Sequence, residues 1–496
     1  MPKRSFLRAA ALLLAVAGPL SAQEPNFGRA IALHDGDLLI GQPVNWYGPG
    51  AVYAYRLAAD GSWTERGILT APDSSRKDDF GRALSLDGNT LVVAAPRKRD
   101  GTGAAYAYRR NAAHGAWQLD QSIGPPPAGD HSEYGAALAL SGDELLIGSP
   151  AVGGTGVVYR FTRGTEGWGL ASTIEPPADD GVRAFGRTLS RAGDRLLIGA
   201  PASDSDRGRV FAVDRSPTGA WSLPRVVALP SADGTARAAS GSALLVSGDR
   251  AFVGVPGAGV VAVLERTPAG GWSESATLQP SDEVRGARFG FSLAAVGDEL
   301  WVGAPGVAGA DGRVYRFAPD EAGVWRGLPG VDPDETEGTT WPLGFGHAMA
   351  ASDARVVIGM PTRDFGEGRA MAFSRSAEGW SSTQMLEGRI YRIGQALETG
   401  ARCQQGRMTD FPCTNMELVA HLPVDALGGE RGTWVNDVWG WTDPQTGRNY
   451  ALVARRDGAS FIDVTEPSAP RLLGNLPRTV GSRPSVWRDI KVIGNL

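Results

Sequence analysis

The chain has 496 residues, more than one small core can organise, so two or more domains are expected. Its net charge of −5 is small for this size and argues against duplex nucleic acid or an anionic membrane as a partner, since both call for a basic face. With 68 Gly and 33 Pro beside an ordinary 42% hydrophobic residues, the composition argues against disorder and for many tight turns between short strands.

Lys3, Arg4 and Arg8 precede an apolar run from Ala9 to Leu20, and Leu20-Ser21-Ala22 offers a small-residue cleavage site. This predicts a secretory signal peptide over residues 1–22. The apolar run is too short to span a bilayer, which needs ~20 residues. No later segment is long and apolar enough to span, so the exported product is expected to be soluble.

Beyond the leader, a repeat dominates the chain. An aromatic-Gly or similar pair recurs at Phe27-Gly28, Phe80-Gly81, Tyr134-Gly135, Phe185-Gly186, Ser240-Gly241, Phe289-Gly290 and Phe345-Gly346. Each is followed, some fourteen residues on, by a Gly-x-Pro as a rule, ending at Pro43, Pro96, Pro150, Pro201, Pro256, Pro305 and Pro361. The mean step is 53 residues. A period this long, built from short strands, predicts the blades of an all-β propeller over residues 23–386 rather than a helical solenoid.

The third unit shows the grammar. Tyr134 to Leu140 reads as a first strand, Ser141-Gly142-Asp143 as a tight turn, and Glu144 to Pro150 as a second strand closed by Pro. Gly156 to Phe161 alternates as a third strand, and Trp168 opens a fourth, more polar one. Fourth strands carry Trp63, Trp117, Trp168, Trp221, Trp272, Trp325 and Trp380, which assigns these side chains to packing between neighbouring blades. The Gly of each pair is expected where two backbones approach closely. The fifth unit is the weakest, with Ser240 replacing the aromatic residue. Seven units suit a closed ring without exposed sheet edges; an eight-bladed ring or open stack is the alternative.

These residues resemble FG-GAP repeats, the propeller units of integrin α-subunits and of many exported bacterial proteins. The resemblance covers Phe27 to about Gly388. In integrin-type repeats an Asp-rich calcium loop joins the first two strands. Here that connection is three or four residues and cannot supply the six to eight oxygen ligands calcium takes, so no metal and no cofactor is expected. An adhesion-like role is what the resemblance implies by analogy of fold.

Residues 387–402 lack the blade grammar and read as a linker, with a short helix or connector over Ile390 to Leu397. From residue 403 onward the chain carries Cys403, Phe411-Pro412-Cys413, the Trp-rich run Asn436 to Pro444, Phe461-Ile462-Asp463-Val464 and Trp487 to Val492. This is similar to the start of the choice-of-anchor B proteins, whose LVIVD-type strands imply a second propeller. That domain is longer in the family, so residues 403–496 are expected to be an incomplete copy in a truncated sequence. Cys403 and Cys413, the only cysteines, are expected to form a local disulfide in an exported protein.

No catalytic constellation is visible. The five histidines share no metal-ligand spacing, and no nucleophile elbow or phosphate-binding Gly loop occurs. The loops from strand four to the next strand one, and from strand two to three, open at one end of a propeller. They carry Asp78, Asp79, Glu133, Asp179, Asp282, Asp332, Asp334 and Glu335 in the first set. The second set holds Trp46, Tyr47, Arg97, Lys98, Arg99, Asp204, Asp206, Arg207, Arg363 and Phe365. Variable loops on a rigid scaffold are where binding resides, so this rim is the candidate site for a protein or glycan partner. The readings left open are an exported interaction scaffold, a targeting module of a larger enzyme and a structural envelope component.

Overall fold

The computed structural model describes residues 26–389 except 45–48, 76, 112–114, 127–131, 180, 233, 283–286, 308–310, 334–343 and 353. It further describes 401–403, 407–408, 411–412, 414, 417–430, 432–479 and 489–492. The predicted leader, the Ile390–Leu397 connector and Cys413 lie outside the described residues.

The described chain is all-β, with seven four-stranded antiparallel sheets between Ala30 and Glu387. The third sheet is typical: Ala137–Ser141, Glu144–Ser149, Val157–Gly164 and Gly167–Ile174 pair in that order. Second strands are buried along nearly their whole length and rich in Leu, Ile and Val, while fourth strands are the most exposed, buried chiefly near their ends. First strands meet their neighbours from sheet to sheet around a cycle, the seventh against the first, so they line a central opening. The sheets therefore form a closed seven-bladed ring.

Seven apolar clusters lie between neighbouring sheets, and each receives one fourth-strand Trp. Trp63 packs between the seventh and first sheets, Trp117 between the first and second, and so on to Trp380 between the sixth and seventh. Two of these junctions carry a further polar clasp. The Gln384 carboxamide accepts from the Trp63 amide at 2.7 Å and donates to its carbonyl at 3.0 Å, and Gln121 treats Trp168 in the same way at 2.7 and 2.9 Å.

The repeat pair has a clear structural reason. Phe27, Phe80, Tyr134, Phe185, Phe289 and Phe345 are fully buried beneath the third-strand aromatics, as in the edge-to-face pair Phe27–Tyr53 at 5.1 Å. The glycine that follows has φ between +83 and +94 in all seven units, a region L side chains avoid, and it lies against the third strand of the preceding sheet. A second glycine, such as Gly41 or Gly359, receives the carbonyl of that first glycine from the next sheet. In the second unit Ala94 takes this place, so the Gly-x-Pro rule fails once. The aromatic-Gly pair is a turn rather than the start of the first strand, which begins at Ala137 in the third unit.

The predicted weakness of the fifth unit is not where the irregularity falls. Its four strands are complete, whereas the fourth sheet ends in the two-residue strand Arg225–Val226. Pro224 precedes that strand, and its missing amide cannot extend the ladder.

An eighth four-stranded sheet comprises Val435–Thr442, Asn449–Arg455, Gly458–Asp463 and Arg471–Pro477. Its buried Arg455 donates to the Leu427 carbonyl, Asp457, Ser460 and Asn475. Val438 and Leu476 on its outer strands are about three-fifths exposed, at 61% and 60%. Among the described residues no helix is long and apolar enough to cross a membrane.

Candidate functional site

Every unit opens its first strand with the same turn. Asn26, Asp79, Glu133, Ala184, Ala239, Arg288 and Gly344 all have φ between +50 and +67. In each, the amide three residues later donates back to the carbonyl of that residue. The donating residues are Arg29, Arg82, Ala136, Arg187, Ser242, Phe291 and His347. Ring closure therefore places these seven side chains, separated by tens to hundreds of residues in sequence, around one end of the central opening.

Their charges act on one another across that opening. Arg82 and Arg187 interact although the third sheet separates them along the ring, and Arg29 and Arg288 do so across the seventh. Burial lowers the pKa of Arg29 to about 10, and Arg82 adds to the effect. Burial lowers Arg82 and Arg288 as well. Yet Arg82, Arg187 and Arg288 remain open to solvent. Protein surrounds these groups while leaving them a path to water, as expected in the mouth of a narrow well.

Two acids answer this charge. Arg187 pairs with Glu133 at 2.6 Å and Arg97 with Asp79 at 3.4 Å. Burial raises the Asp79 pKa despite Arg97, Arg82 and Arg29, and its second oxygen is buried without a hydrogen-bond partner. Arg288 lies over the Phe291 ring at 4.1 Å, and that ring packs on His347 at 4.8 Å. Burial, then Arg29, Arg82 and Arg288, holds the His347 pKa well below its ordinary value.

The predicted rim residues divide into several classes. Lys98 does not project from the rim: it is only 5% exposed and its ammonium pairs with Asp73 and Asp78, both at 3.1 Å. The reason is the turn Lys98–Gly101, whose left-handed Arg99 and Asp100 fold the preceding lysine inward. Asp204 is committed to Arg209, which also holds Asp179 at 2.7 Å. The same clamp recurs where Arg313 holds Asp332 and Asp282, and where Arg369 holds Asp364 and Glu387. Arg363 is half-buried beside Asp364. Arg97, Arg99, Asp206 and Arg207 are exposed. Trp46, Tyr47, Asp334 and Glu335 lie outside the described residues, as does the side chain of Phe365.

Sequence reasoning singled out none of Arg29, Arg82, Arg187, Arg288 and Phe291 and left His347 as an isolated histidine. The available signal was positional: three of seven units carry Arg directly after the aromatic-Gly pair. On the same end of the ring, the third sheet bears an open groove of about 880 Å³. It runs between the turn Val152–Gly154 and the connection Glu175 to Asp179, with Tyr159, Thr173 and Arg183 among its walls. Among the described residues, no group of three or more His, Cys, Asp or Glu is arranged to hold a metal ion.

The chain carries FG-GAP repeats, matched over residues 63–108 and 272–317. Each match runs from a fourth-strand Trp through the next sheet to its third-strand aromatics, Tyr108 and Phe317. No curated protein matches the chain. Among solved structures it is similar to the Pseudomonas aeruginosa periplasmic gluconolactonase PpgL at 20% identity, covering 71% of this chain and 96% of that one, with a TM-score of 0.48. A putative 6-phosphogluconolactonase from Bacteroides uniformis is 16% identical over 70% of this chain and 94% of its own, with a TM-score of 0.47. Saccharomyces cerevisiae Sqt1 is 12% identical over 92% of this chain and 97% of its own, with a TM-score of 0.42. At these values the names of the neighbours carry nothing over to this chain, and what it shares with a known family is the FG-GAP repeat itself.

Proposed function

We propose that this chain is an exported or cell-surface propeller scaffold that binds a glycan or an extended protein segment at one end of its ring. The observation that carries this reading is the open groove of about 880 Å³ on the third sheet. Its walls combine hydroxyl and charged side chains, Thr173, Glu175, Asp179 and Arg183, with backbone left bare by Gly153, Gly154 and Gly156. Polar groups converging on a concave surface of a rigid scaffold suit recognition of a hydroxyl-rich or extended ligand. The leader composition supports export, and a Cys403–Cys413 disulfide would follow in an oxidising compartment.

The test is binding of soluble oligosaccharides and of proteins extracted from the producing cell's surface. It uses the full chain beside Thr173→Trp, which fills the groove, and Arg183→Ala. Loss of retention in both variants with an unchanged urea midpoint supports the groove. Retention equal to the parent chain rules it out.

A further inference from the structure

The channel mouth holds more positive charge than its own acids balance. Five guanidinium groups, Arg29, Arg82, Arg97, Arg187 and Arg288, gather at this mouth with two carboxylates, Asp79 and Glu133. The two acids are each within ion-pair distance of one arginine, Arg97 and Arg187. Among the described residues Arg29, Arg82 and Arg288 have no ion pair at all. The excess of three positive charges stands in a chain whose net charge is −5.

We propose that this mouth is a binding site for a multiply charged oxyanion, either a phosphate or sulfate group or a cluster of carboxylates. Guanidinium groups present paired donors that match two oxygens of such a group, and three or more converge here from the first, second and sixth sheets. Like charges held together in a half-enclosed well repel one another, and low solvation strengthens that repulsion. An oxyanion in the well reverses its sign. Local rules broken without internal compensation are the usual mark of a site shaped for something else. The Phe291 ring, between Arg288 and His347, gives the well one apolar wall. His347 adds a proton-linked element, since it faces Arg29, Arg82 and Arg288. Anion binding neutralises these cations and lets the imidazole accept a proton.

This site is separate from the groove, so negative results with the groove variants leave it standing. The experiment is calorimetric titration of the full chain with citrate, inorganic phosphate and sulfate, each against sodium chloride of equal ionic strength. Saturable binding is expected for at least one, with proton uptake at pH 6. Citrate alone would identify clustered carboxylates as the ligand chemistry, and phosphate or sulfate would identify a tetrahedral oxyanion. Arg82→Gln and Arg29→Gln are each expected to weaken binding at least about tenfold, the share of one charge-assisted hydrogen bond. Both are also expected to keep or raise the urea midpoint without anion, because they relieve repulsion. Arg82→Lys keeps the charge without the fork and should fall between parent and Arg82→Gln. Binding no stronger than the chloride control, or undiminished in both Gln variants, overturns the proposal.

Discussion

Gly28→Ala tests the interlocking of neighbouring sheets directly. A methyl group at this position would meet the Arg369 carbonyl oxygen of the seventh sheet at 2.5 Å, well inside contact distance. The residue also has φ of +86, where an L side chain is strained. Gly88, in the hairpin of the second sheet, has φ of +54 and nothing within 4 Å of the same added methyl. Gly88→Ala therefore carries only the left-handed strain, about 1–2 kcal/mol. Gly28→Ala adds overpacking at a backbone atom that cannot rotate away, a further ~1–3 kcal/mol. The expected total is about 2–5 kcal/mol, and the difference between the variants isolates the junction. Urea denaturation of the full chain followed by tryptophan fluorescence reads this well, because fourth-strand Trp residues lie in the junctions. Equal midpoints for the two variants would refute the reasoning.

Gln384→Ala and Gln121→Ala remove equivalent clasps, so each should cost about 1–3 kcal/mol by urea denaturation, and a neutral result for either would separate the two junctions. Glu144 is buried among Arg160, Arg191 and Arg215. Glu144→Gln leaves those guanidinium groups uncompensated and should cost about 3–5 kcal/mol. Burial pushes the Glu144 carboxyl up, but the Arg160 hydrogen bond and the charges of Arg191, Arg160 and Arg215 outweigh it and hold the pKa below the usual value of 4.5. Its stabilisation is therefore complete above pH 4.5 and lost as pH falls through the folded value, and Glu144→Gln should flatten that acid limb of a stability profile. His347 is held neutral in the fold, while the unfolded chain takes up its proton near pH 6.5. Stability should fall as pH drops below 6.5, and His347→Asn should remove that slope between pH 6.5 and 5. An unchanged slope would place the titration elsewhere.

Most of the ring was legible because its determinants are local and periodic. The spacing of fourteen residues from Phe27 to Gly41 is the length of a turn plus two short strands, and it returns in every unit. Trp63 and its six counterparts could be assigned to the junctions because a recurrent large aromatic residue at one strand position has to be buried. The channel cluster was not legible for the opposite reason. Arg82 and Arg187 are distant in the chain and feel each other's charge only once the sheets between them pack around the opening, so no short window of sequence contains them both. The acids of the rim were visible as charges but not as clamps. That Asp204 serves Arg209, or that Lys98 turns inward, depends on left-handed residues such as Arg99 and Ser205, residue types that rarely take that conformation and so give no composition signal.

The amides of Asn26 and Phe27 donate to the carbonyls of Gly366 and Glu367 at 2.7 and 3.0 Å. The junction they help form between the last sheet and the first has the buried aromatic residue, facing glycines and fourth-strand Trp that most internal junctions have, Ser240 and Ala94 marking the two exceptions. Each sheet, moreover, is drawn from one continuous stretch of chain rather than stitched from both ends. The seam is thus closed chiefly by the same kind of packing as the other junctions, with Arg389 added across it to Glu65 and to the Tyr53 hydroxyl. A circular permutant that joins residue 387 to residue 26 and opens the chain between two other sheets should fold to the same ring. A nascent chain, by contrast, holds two raw faces apart until its seventh sheet has been made.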